Sequence, residues 1–494
     1  ERAAMGSGAI DMGVPADKGA CEWADLSYQS GFGNTFSSEA LPGALPARGN
    51  NPRVCAYGLY AEQLSGTAFT MARKDNFKAW LYRIRPSVTH EPFAPAPTPE
   101  KLVGDFGKAH LTPNQLRWDP LEVPGPDAPT DFVRGLYSMC GAGSSADKSG
   151  YAMHMYACNK SMDDCCLCNA DGEFLIVPQQ GALRIKSEFG RLRVAPTEIC
   201  VMPRGVRFAV KLEPGASGST AARGYILEVY SGRFELPNLG PIGANGLAAE
   251  RDFHAPEAWF EETDERHDMS RGGGGFRVLH KFEGQLFEAR QPFSPFNVVA
   301  WHGNYYPYKY DLSKFCPVNA VMFDHPDPSI FTVLTVPSAT PGTAVADFVI
   351  FPPRWSVSVA TFRPPYYHRN AMNEFMGLIR GEYEAKEAGK GGFQPGGASL
   401  HMCMTPHGPD TTSFETEVAR GRGGDNQDPP HRLPDDTLAF MFEVNATPRI
   451  APHALSADHR DADYYKCWQG LRSHFDRNAA GADVPAAKRA KTTK

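Results

Sequence analysis

Short apolar runs separated by turn-forming residues recur along most of the chain. Between residues 172 and 212, the runs FLIV, ALRI, RLRV, EICVM and RFAVKL are separated by PQQG, EFG, APT and PRG. Short runs of this kind, bounded by residues that favour turns, are typical of β-strands. Their number and regular spacing predict a mainly β protein with a β-sandwich or jelly-roll arrangement.

The same pattern continues beyond this segment. GYILEVYSGRFELP extends the first block, whose strand order resembles that of cupin barrels, yet no histidine occurs from 155 to 253. A cupin-like barrel there would therefore lack a His-based metal site and be structural. A second β-rich block, from about 295 to 450, contains NAVMF, SIFTVLTV, ADFVIF, SVSVATF, EFMGLIRGEYEA, SLHMCM and LAFMFEV. Apolar residues at helical spacing predict helices near 58–64 and within 461–475.

The length of the chain bears on its domain organisation. A chain of 494 residues exceeds what one hydrophobic core usually organises, so we expect two domains or one elaborated large domain. We expect an N-terminal β-rich domain, 26–312, and a C-terminal cupin-like domain, 313–476. Residues 1–25 and 477–494 are rich in Ala, Gly and polar residues and are predicted to be loose ends.

Composition and charge exclude some classes of partner. With 42% hydrophobic and 21% charged residues and a net charge of −6, the chain is of ordinary globular type and predicts no nucleic-acid partner. The basic cluster 488–491 is interpreted as a solvated end. No apolar run has the roughly 20 residues of a membrane helix, and the first residues contain no signal-peptide core. We therefore expect no membrane partner and a cytoplasmic location.

Cysteine usage supports the same location. Eleven cysteines without secretory features indicate reduced thiols rather than a disulfide framework. The group at 158, 165, 166 and 168 invites a zinc interpretation, but adjacent cysteines point in different directions and no second paired knuckle follows. Free thiols in a strand–turn–strand segment are the preferred interpretation.

Candidate chemistry is concentrated in the second block. His368 and Glu374 are six residues apart within FRPPYYHRNAMNEFMGLI. A third ligand must come from elsewhere, and LHMCMTPHGPD offers His401 and His407, of which His407 completes the candidate set. Residues six apart lie on one side of an extended strand, so the imidazole and carboxylate could converge. Two histidines and one carboxylate form a face that holds non-haem Fe(II) and leaves positions open for O₂.

Spacing alone leaves alternatives open. Histidines hydrogen-bonded to the backbone are a common structural explanation, and the same ligand types serve catalytic zinc. A zinc hydrolase would usually place a glutamate base as in H-E-x-x-H, and no such motif occurs. A cupin-like binding or structural protein that has lost catalysis is a further alternative.

A series of uninterrupted sequence blocks, in one order along the chain, carries a family resemblance. The blocks are YQSGFGNTFSSEALPGALP, NNPRVCAYGLYAEQLSGTAFT, WLYRIRPSV, PNQLRW, LGPIGANGLA, WHGNYYPYKYDL, FDHPDPSIFTVLT, FPPRWSV, FRPPYYHRN and MTPHGPD. They span roughly residues 28–475 and resemble the homogentisate 1,2-dioxygenase family. The resemblance implies a cupin-like fold, one Fe(II), and cleavage of homogentisate by O₂ to maleylacetoacetate in tyrosine and phenylalanine catabolism. It also implies a homohexamer built as a dimer of trimers.

The resemblance also assigns roles to individual residues. It implies that His368, Glu374 and His407 are the iron ligands and that His325 of FDHPDP is the acid–base histidine. It makes Tyr383 a substrate-contacting residue, against a core-packing tyrosine as the structural alternative. His401 is expected beside the site, in contact with substrate or ligand, and His407 is also counted among the substrate-binding residues.

Other residues near these motifs receive more limited interpretations. Asp324 and Asp327 could orient the ring of His325, although turn residues at the surface are an equal alternative, and His302 is interpreted as structural. Insertions near 264–275, 388–392 and 417–430 depart from the family pattern without removing a ligand. They could alter access to the pocket or a subunit contact.

Overall fold

A computed structural model describes residues 23, 26–215, 218, 220–262, 265–319, 321–386, 392–421 and 429–477. The predicted loose ends therefore lie almost entirely outside the described residues. So do most of the insertion at 388–392 and the middle of the one at 417–430. Within the described residues, the prediction of a mainly β protein with few helices is confirmed.

The strands are numbered here in chain order. In the first part of the chain they are β1 Tyr28–Ser30, β2 Phe36–Glu39, β3 Tyr60–Ser65, β4 Lys78–Arg83, β5 Ala94–Pro95, β6 Leu116–Trp118, β7 Leu136–Ser144, β8 Ser149–Cys158, β9 Cys165–Asn169, β10 Glu173–Gln180, β11 Leu183–Ser187, β12 Gly190–Val194, β13 Glu198–Met202, β14 Arg207–Leu212, β15 Ala222–Val229, β16 Phe253–Pro256, β17 Phe276–Phe282, β18 Gln285–Gln291, β19 Val298–Gly303 and β20 Tyr308–Asp311. In the second part they are β21 Thr332–Pro337, β22 Ala344–Phe351, β23 Trp355–Ser356, β24 Asn373–Arg380, β25 Ala398–His401, β26 His431–Arg432, β27 Leu438–Val444 and β28 Arg449–Ile450.

Helices are short and few by comparison. The α-helices are α1 Pro241–Asn245, α2 Thr411–Gly421 and α3 Pro452–Leu455. Single-turn 3₁₀ helices occupy Ala56–Gly58, Arg73–Asp75, Glu250–Asp252, Glu265–His267, Met269–Arg271, Leu312–Lys314, Pro328–Phe331 and Tyr464–Trp468.

The strands form three large sheets, a smaller one and a two-stranded ribbon. The largest has the order β1-β16-β20-β13-β10-β15-β8-β7-β28, and a seven-stranded sheet has the order β12-β11-β14-β9-β17-β18-β5. A six-stranded sheet, β21-β22-β27-β24-β25-β6, is accompanied by the four-stranded β2-β19-β4-β3 and by β23-β26. Pairing is antiparallel except between β9 and β17.

The nine-stranded sheet is buried on both faces. Along β10, Leu175 and Val177 belong to the core shared with the six-stranded sheet, whereas Phe174 and Ile176 belong to the core shared with the seven-stranded sheet. Successive side chains of a strand point to opposite faces, so a strand covered on both sides must be apolar at every position. This explains why FLIV is a continuous apolar run.

Close packing brings the six-stranded sheet against the nine-stranded one. Gly377 of β24 faces Phe440 and Tyr225, and a Cβ atom at this position would lie 2.3 Å from the Phe440 ring. Any side chain here would push the sheets apart, so glycine is required in the strand that also carries Glu374.

The two parts of the chain exchange strands. β6, from the first part, pairs with β25 at the edge of the six-stranded sheet, with Trp118 opposite Ala398. β28, from the second part, pairs with β7 at the edge of the nine-stranded sheet. The indole of Trp118 is buried and donates a 2.7 Å hydrogen bond to the carbonyl of Ala454.

A buried charged cluster connects the nine- and seven-stranded sheets. The ammonium of Lys281 on β17 lies 2.8 Å from a carboxylate oxygen of Glu228 on β15 and also pairs with Asp171. Asn169 donates to Glu228 at 2.7 Å, and the imidazole of His154 lies 3.1 Å from it. Since every member has a partner, the cluster satisfies the requirement that buried charges be paired.

The strand predictions were accurate where burial is continuous. All five strands expected within 172–212 are present, as β10 to β14. By contrast, the described residues of NAVMF and most of SVSVATF are not strands: Met322 and Phe323 are exposed, and β23 retains only Ser356 of the second run. These apolar residues lie at the surface, so the assumption of burial behind the prediction was wrong.

The two predicted helices were also wrong. Residues 60–65 form β3, which pairs with β4 from Tyr60↔Arg83 to Ser65↔Lys78, because tertiary strand pairing outweighs the local helical spacing. Within 461–475, only the 3₁₀ turn Tyr464–Trp468 forms, and it is fixed by the burial of Tyr464.

The cysteine group lies in two consecutive strands and the turn between them. Cys158 ends β8, and Cys165, Cys166 and Cys168 lie in β9; all four are buried free thiols. Burial raises the pKa of Cys158 to about 12. Thiols so far from ionisation at neutral pH are inert, and the strand–turn–strand interpretation is confirmed.

Candidate metal centre

Two distant loops supply the histidines of the candidate centre. His368 precedes β24, and His407 follows β25 in the chain. Their backbones form an isolated antiparallel bridge, with the amide of each donating to the carbonyl of the other at 3.0 and 3.1 Å. The bridge places the two rings 4.2 Å apart between centroids.

The carboxylate comes from the middle of the six-stranded sheet. Glu374 lies on β24, opposite His401 of β25 and Glu443 of β27. The chain turns at 371–372 before β24 begins. The prediction that His368 and Glu374 share one extended strand was therefore wrong. They converge nonetheless, because the bridge to His407 folds the His368 loop over the end of β24.

The donor atoms of the three side chains form a compact group. The Nε2 atom of His407 lies 2.9 Å from one oxygen of Glu374, and that of His368 lies 3.4 Å from the other. All three ligand atoms lie within 4.8 Å of one another. Among the described residues, this is the one group of His, Cys, Asp or Glu side chains close enough to share a metal ion.

Both imidazoles are oriented through their second nitrogen. Nδ1 of His368 lies 2.8 Å from the carbonyl oxygen of Tyr366, and Nδ1 of His407 lies 3.0 Å from that of Thr405. A carbonyl oxygen can only accept a hydrogen bond, so Nδ1 must carry the proton. In the neutral ring, Nε2 then carries a lone pair and no proton. That lone pair faces a carboxylate, which also accepts only.

The lone pairs of the two Nε2 atoms and the carboxylate of Glu374 face one another, so a cation must lie between them. Either a proton or a metal ion can satisfy this requirement, and backbone carbonyls that fix the distal nitrogen are typical of histidine metal ligands. A metal bonded at about 2.1 Å to two ligand atoms at right angles would hold them roughly 3 Å apart. The observed 2.9 and 3.4 Å therefore fit a first-row divalent ion.

The ionisation of Glu374 follows from these contacts. Burial alone would raise the pKa of Glu374, but the hydrogen bonds with His368 and His407 outweigh it and hold the pKa well below its ordinary value. The same hydrogen bond to Glu374 raises the pKa of His368. The carboxylate is thus charged at neutral pH, as a metal ligand must be.

A second carboxylate lies behind the first. Burial raises the pKa of Glu443 to about 7, and the charge of neighbouring Glu374 adds to the rise. Asn370 separates the two: its amide nitrogen lies 3.1 Å from Glu374 and 2.6 Å from Glu443. Its own carbonyl oxygen accepts from the amide of Met372 at 3.1 Å, which fixes the orientation of the side chain.

The site opens into a cavity of about 390 Å³. Phe351, Pro365, Met376 and Met441 contribute apolar wall, and the three ligand side chains form part of its lining. Pockets of this size, mostly apolar with a few convergent polar groups, are typical of small-molecule sites.

His325 lies on the same cavity. Its Nδ1 is 2.7 Å from the carbonyl of Pro326 and must be the protonated nitrogen, while Nε2 is buried with no partner among the described residues. Burial lowers the pKa of His325. A neutral imidazole whose unoccupied lone pair lies in a cavity can accept a proton.

Tyr383 and His401 complete the predicted residues, and both line the cavity. Tyr383 is buried and packs against Phe351 and Phe393, with ring centroids 5.7 and 6.2 Å away. His401 stacks on His407 at 4.2 Å, and its Nε2 lies 2.9 Å from the Tyr464 hydroxyl.

Asp324, Asp327 and His302 make structural contacts, although Asp327 also lines the cavity. The carboxylate of Asp327 accepts from the amide of Ser329 and begins a 3₁₀ helix, and the amide of Asp324 donates to Thr361. Since the carbonyl of Pro326 occupies Nδ1 of His325, the turn interpretation of both aspartates holds. His302 contacts the Tyr82 hydroxyl at 3.2 Å, a packing role remote from the cavity lining.

Sequence reasoning missed Asn370, Glu443 and Lys386, all of which line the cavity. A signal existed for Glu443, because it is the one charged residue in the apolar run LAFMFEV. Lys386 occurs in the charged stretch GEYEAKE, whose composition is that of a solvated surface.

Two imidazoles and one carboxylate on the wall of a mostly apolar cavity have the arrangement of a mononuclear metal-dependent enzyme. Family models described as homogentisate 1,2-dioxygenase N-terminal and C-terminal match residues 27–312 and 313–475. The chain belongs to the homogentisate 1,2-dioxygenase family, and its class of activity is that of a dioxygenase.

Full-length relatives support this membership. The homogentisate 1,2-dioxygenase of Oryza sativa subsp. japonica is 57% identical over 471 residues, covering 94% of this chain and 95% of that protein. The protein of the same name from Homo sapiens is 52% identical over 466 residues, covering 94% of this chain and 100% of that protein.

Similarity to solved structures is much weaker. An oxalate decarboxylase variant from Bacillus subtilis overlaps 68% of this chain and 78% of its own, at 10% identity and a TM-score of 0.29. Likeness at that level supports no argument about function. Among the helices of the described residues, none combines the length and the apolar character needed to cross a membrane.

Proposed function

We propose that the chain uses Fe(II) to cleave the ring of homogentisate with O₂, giving maleylacetoacetate in tyrosine and phenylalanine catabolism. Family membership supports the substrate and the use of O₂. The observation that carries the iron assignment is the opposition of the Nε2 atoms of His368 and His407 to Glu374, which calls for a cation. Two histidines with one carboxylate are the preferred Fe(II) ligands for O₂ chemistry.

The ligand residues act by fixing charge and position. His368, Glu374 and His407 would hold the ion on one face, and their summed charge leaves about one positive charge on the site. When bound, the iron supplies the redox chemistry with O₂ and favours an ionised, anionic aromatic substrate. Asn370 keeps Glu374 aligned, and His401 supports the ring of His407 from behind.

The remaining cavity residues handle the substrate. His325 accepts the proton of a substrate hydroxyl at Nε2, because Nδ1 is already committed to Pro326. Tyr383, His401 and His407 contact the bound substrate, and the apolar wall, including Phe351 and Met441, limits the access of water.

Oxygen uptake tests the proposed function directly. Metal-free protein given Fe(II), homogentisate and O₂ should consume one O₂ for each ring-cleaved product formed. The same protein given Zn(II) is the control and should consume none. Absence of uptake with iron, or O₂-independent turnover with zinc, would reject the proposal.

We further infer a homohexamer, a dimer of trimers, and a cytoplasmic location. Large apolar side chains exposed on the single chain, Val54, Tyr57, Phe69 and Met71 among them, are the kind of surface that subunit contacts cover. The free cysteines of the described residues suit a reducing compartment. Sedimentation equilibrium at several concentrations tests the assembly, and a monomer throughout would refute it.

A further inference from the structure

Lys386 is a partly buried cation on the wall of the same cavity. β24 ends at Arg380, Gly381 follows with a φ of +70°, and the amide of Lys386 donates to the carbonyl of Tyr383 at 3.1 Å. This tight turn directs both Tyr383 and Lys386 to the cavity. The positive φ at residue 381 explains the glycine there, since other residues are strained in that conformation.

The ammonium of Lys386 is held by neutral groups. It donates to the carbonyl of Gly408 at 2.6 Å and lies 4.4 Å from the ring centroid of Trp468 and 5.5 Å from that of Tyr464. Among the residues that the structure describes, no carboxylate lies within ion-pair distance of the ammonium, although the charge of Asp410 acts on it from farther away and partly offsets the effect of burial on its pKa. One of its three donors is used in these contacts, and the others are available.

Such an environment is unfavourable for an isolated charge. Burial lowers the pKa of Lys386 to about 8, which reflects the cost of removing the ammonium from water. Buried charges are normally paired, and a pair completed by a ligand would recover that cost. The other cationic side chain on the cavity wall, apart from the histidines, is Arg369, which is exposed and keeps its hydration.

The position of Lys386 relates it to the candidate centre. Its hydrogen-bond acceptor, Gly408, directly follows the ligand His407. A substrate held beside His407 therefore has a cation near it that none of the ligand residues supplies. An acidic aromatic substrate carries one group that such a cation would recognise, its carboxylate.

We propose that Lys386 is the specificity-determining residue that binds the carboxylate of the aromatic acid. The proposal rests on the proposed function, because it assumes homogentisate as the substrate. Gly408, Tyr464 and Trp468 position the ammonium before the substrate arrives, so little conformational freedom is lost on binding. Lys386 has no part in proton transfer or in metal binding.

A comparison of two ligands tests this assignment. Homogentisate and its neutral amide, 2,5-dihydroxyphenylacetamide, share the ring and both hydroxyls and differ in charge. Affinities for the Fe(II)-loaded protein are measured anaerobically by calorimetry. Lys386→Met should weaken homogentisate binding by about 10- to 100-fold, the effect of losing a charged hydrogen bond, and leave amide binding nearly unchanged.

Two variants serve as controls. Lys386→Arg should recover much of the preference for homogentisate, and Arg369→Met should leave the ratio of the two affinities as in the parent protein. An equal loss for both ligands in Lys386→Met would overturn the proposal, because Lys386 would then only support the shape of the cavity. An unchanged ratio of the two affinities in Lys386→Met would also overturn the proposal. If the parent protein bound neither ligand, the proposed function itself would be wrong.

Discussion

His368 and His407 are joined through their backbones, with each amide donating to the carbonyl of the other residue. The two candidate ligands, 39 positions apart in the numbering, are thereby fixed to one another without any contribution from a metal. Glu374 is fixed separately, by its place on β24 between two neighbouring strands. The candidate centre is consequently preorganised, which lowers the conformational cost of metal binding.

Removal of one histidine should remove the metal. In His368→Ala, two of the three ligands remain, and we expect iron content measured by atomic emission to fall to a small fraction of that in the parent protein. His474→Ala is the matched control, since His474 is a surface histidine that also pairs with a glutamate, Glu415. Full iron occupancy in His368→Ala would contradict its role as a ligand.

Asn370→Asp should weaken metal binding although none of the three ligand residues is replaced. The substitution replaces a donor by a third carboxylate between Glu374 and Glu443. Loss of a residue that orients a ligand typically costs 10- to 100-fold in metal affinity, so we expect a rise of about that size in the dissociation constant for Fe(II). Competition with a chelator measures it. An unchanged constant would show that Asn370 does not orient Glu374.

His325→Gln should separate metal binding from turnover. The loss of a general base typically lowers the rate by about 10²- to 10⁴-fold, and we expect kcat to fall in that range at unchanged iron content. His302→Gln, remote from the cavity lining, should retain the parent rate. Full activity of His325→Gln would remove His325 from the mechanism.

The pH dependence of turnover should reflect the burial of His325. Burial lowers its pKa below the ordinary value of 6.5, so the neutral, proton-accepting form persists on acidification to below pH 6.5. We expect the acidic limb of kcat/KM to lie below that pH and to be absent in His325→Gln. A limb above pH 6.5 in the parent protein would contradict this assignment.

The buried charged cluster should govern stability rather than turnover. In Lys281→Met, Glu228 and Asp171 lose their cation, and breaking a buried pair in this way costs about 3–5 kcal/mol in the free energy of unfolding. Lys466→Met is the control, because its pair with Asp463 is exposed and should contribute little to the free energy of unfolding. Denaturant titration followed by tryptophan fluorescence compares them, and equal effects would contradict the prediction.

The contribution of the same cluster to stability should depend on pH. Burial alone would raise the pKa of Glu228, but the charge of Lys281, together with the contact with His154, outweighs burial and lowers the pKa from 4.5 to about 2. The stabilisation by Glu228 is therefore fully present above pH 4.5 and is lost as the pH falls towards 2. We expect Lys281→Met to lose much of this dependence between pH 4.5 and 2.

The sequence predicted the strands best where both faces of a sheet are covered. Runs such as FLIV and EICVM are apolar because every position is buried, and they form β10 and β13. The run containing Met322 and Phe323 is apolar as well, yet it lies exposed beside His325. Composition does not distinguish the buried runs from the exposed run, because both are apolar. They differ only in whether other parts of the protein cover them.

The ligand types were accessible from spacing, and the sequence resemblance added His325. The sequence did not reveal the backbone bridge between His368 and His407, because that contact joins two loops through main-chain atoms. It also gave no sign of Lys386, whose charged neighbours suggest a solvated surface. Only the turn after β24 reveals that this side chain faces the cavity.

The exchange of edge strands has a consequence for synthesis of the chain. Leu116 of β6 pairs with Leu400 of β25, so β6 has no partner until most of the chain has left the ribosome. At roughly 5–20 residues per second, this interval lasts on the order of tens of seconds. During that time the side chains of Leu116 and Trp118, which are buried in the folded protein, lack their packing partners.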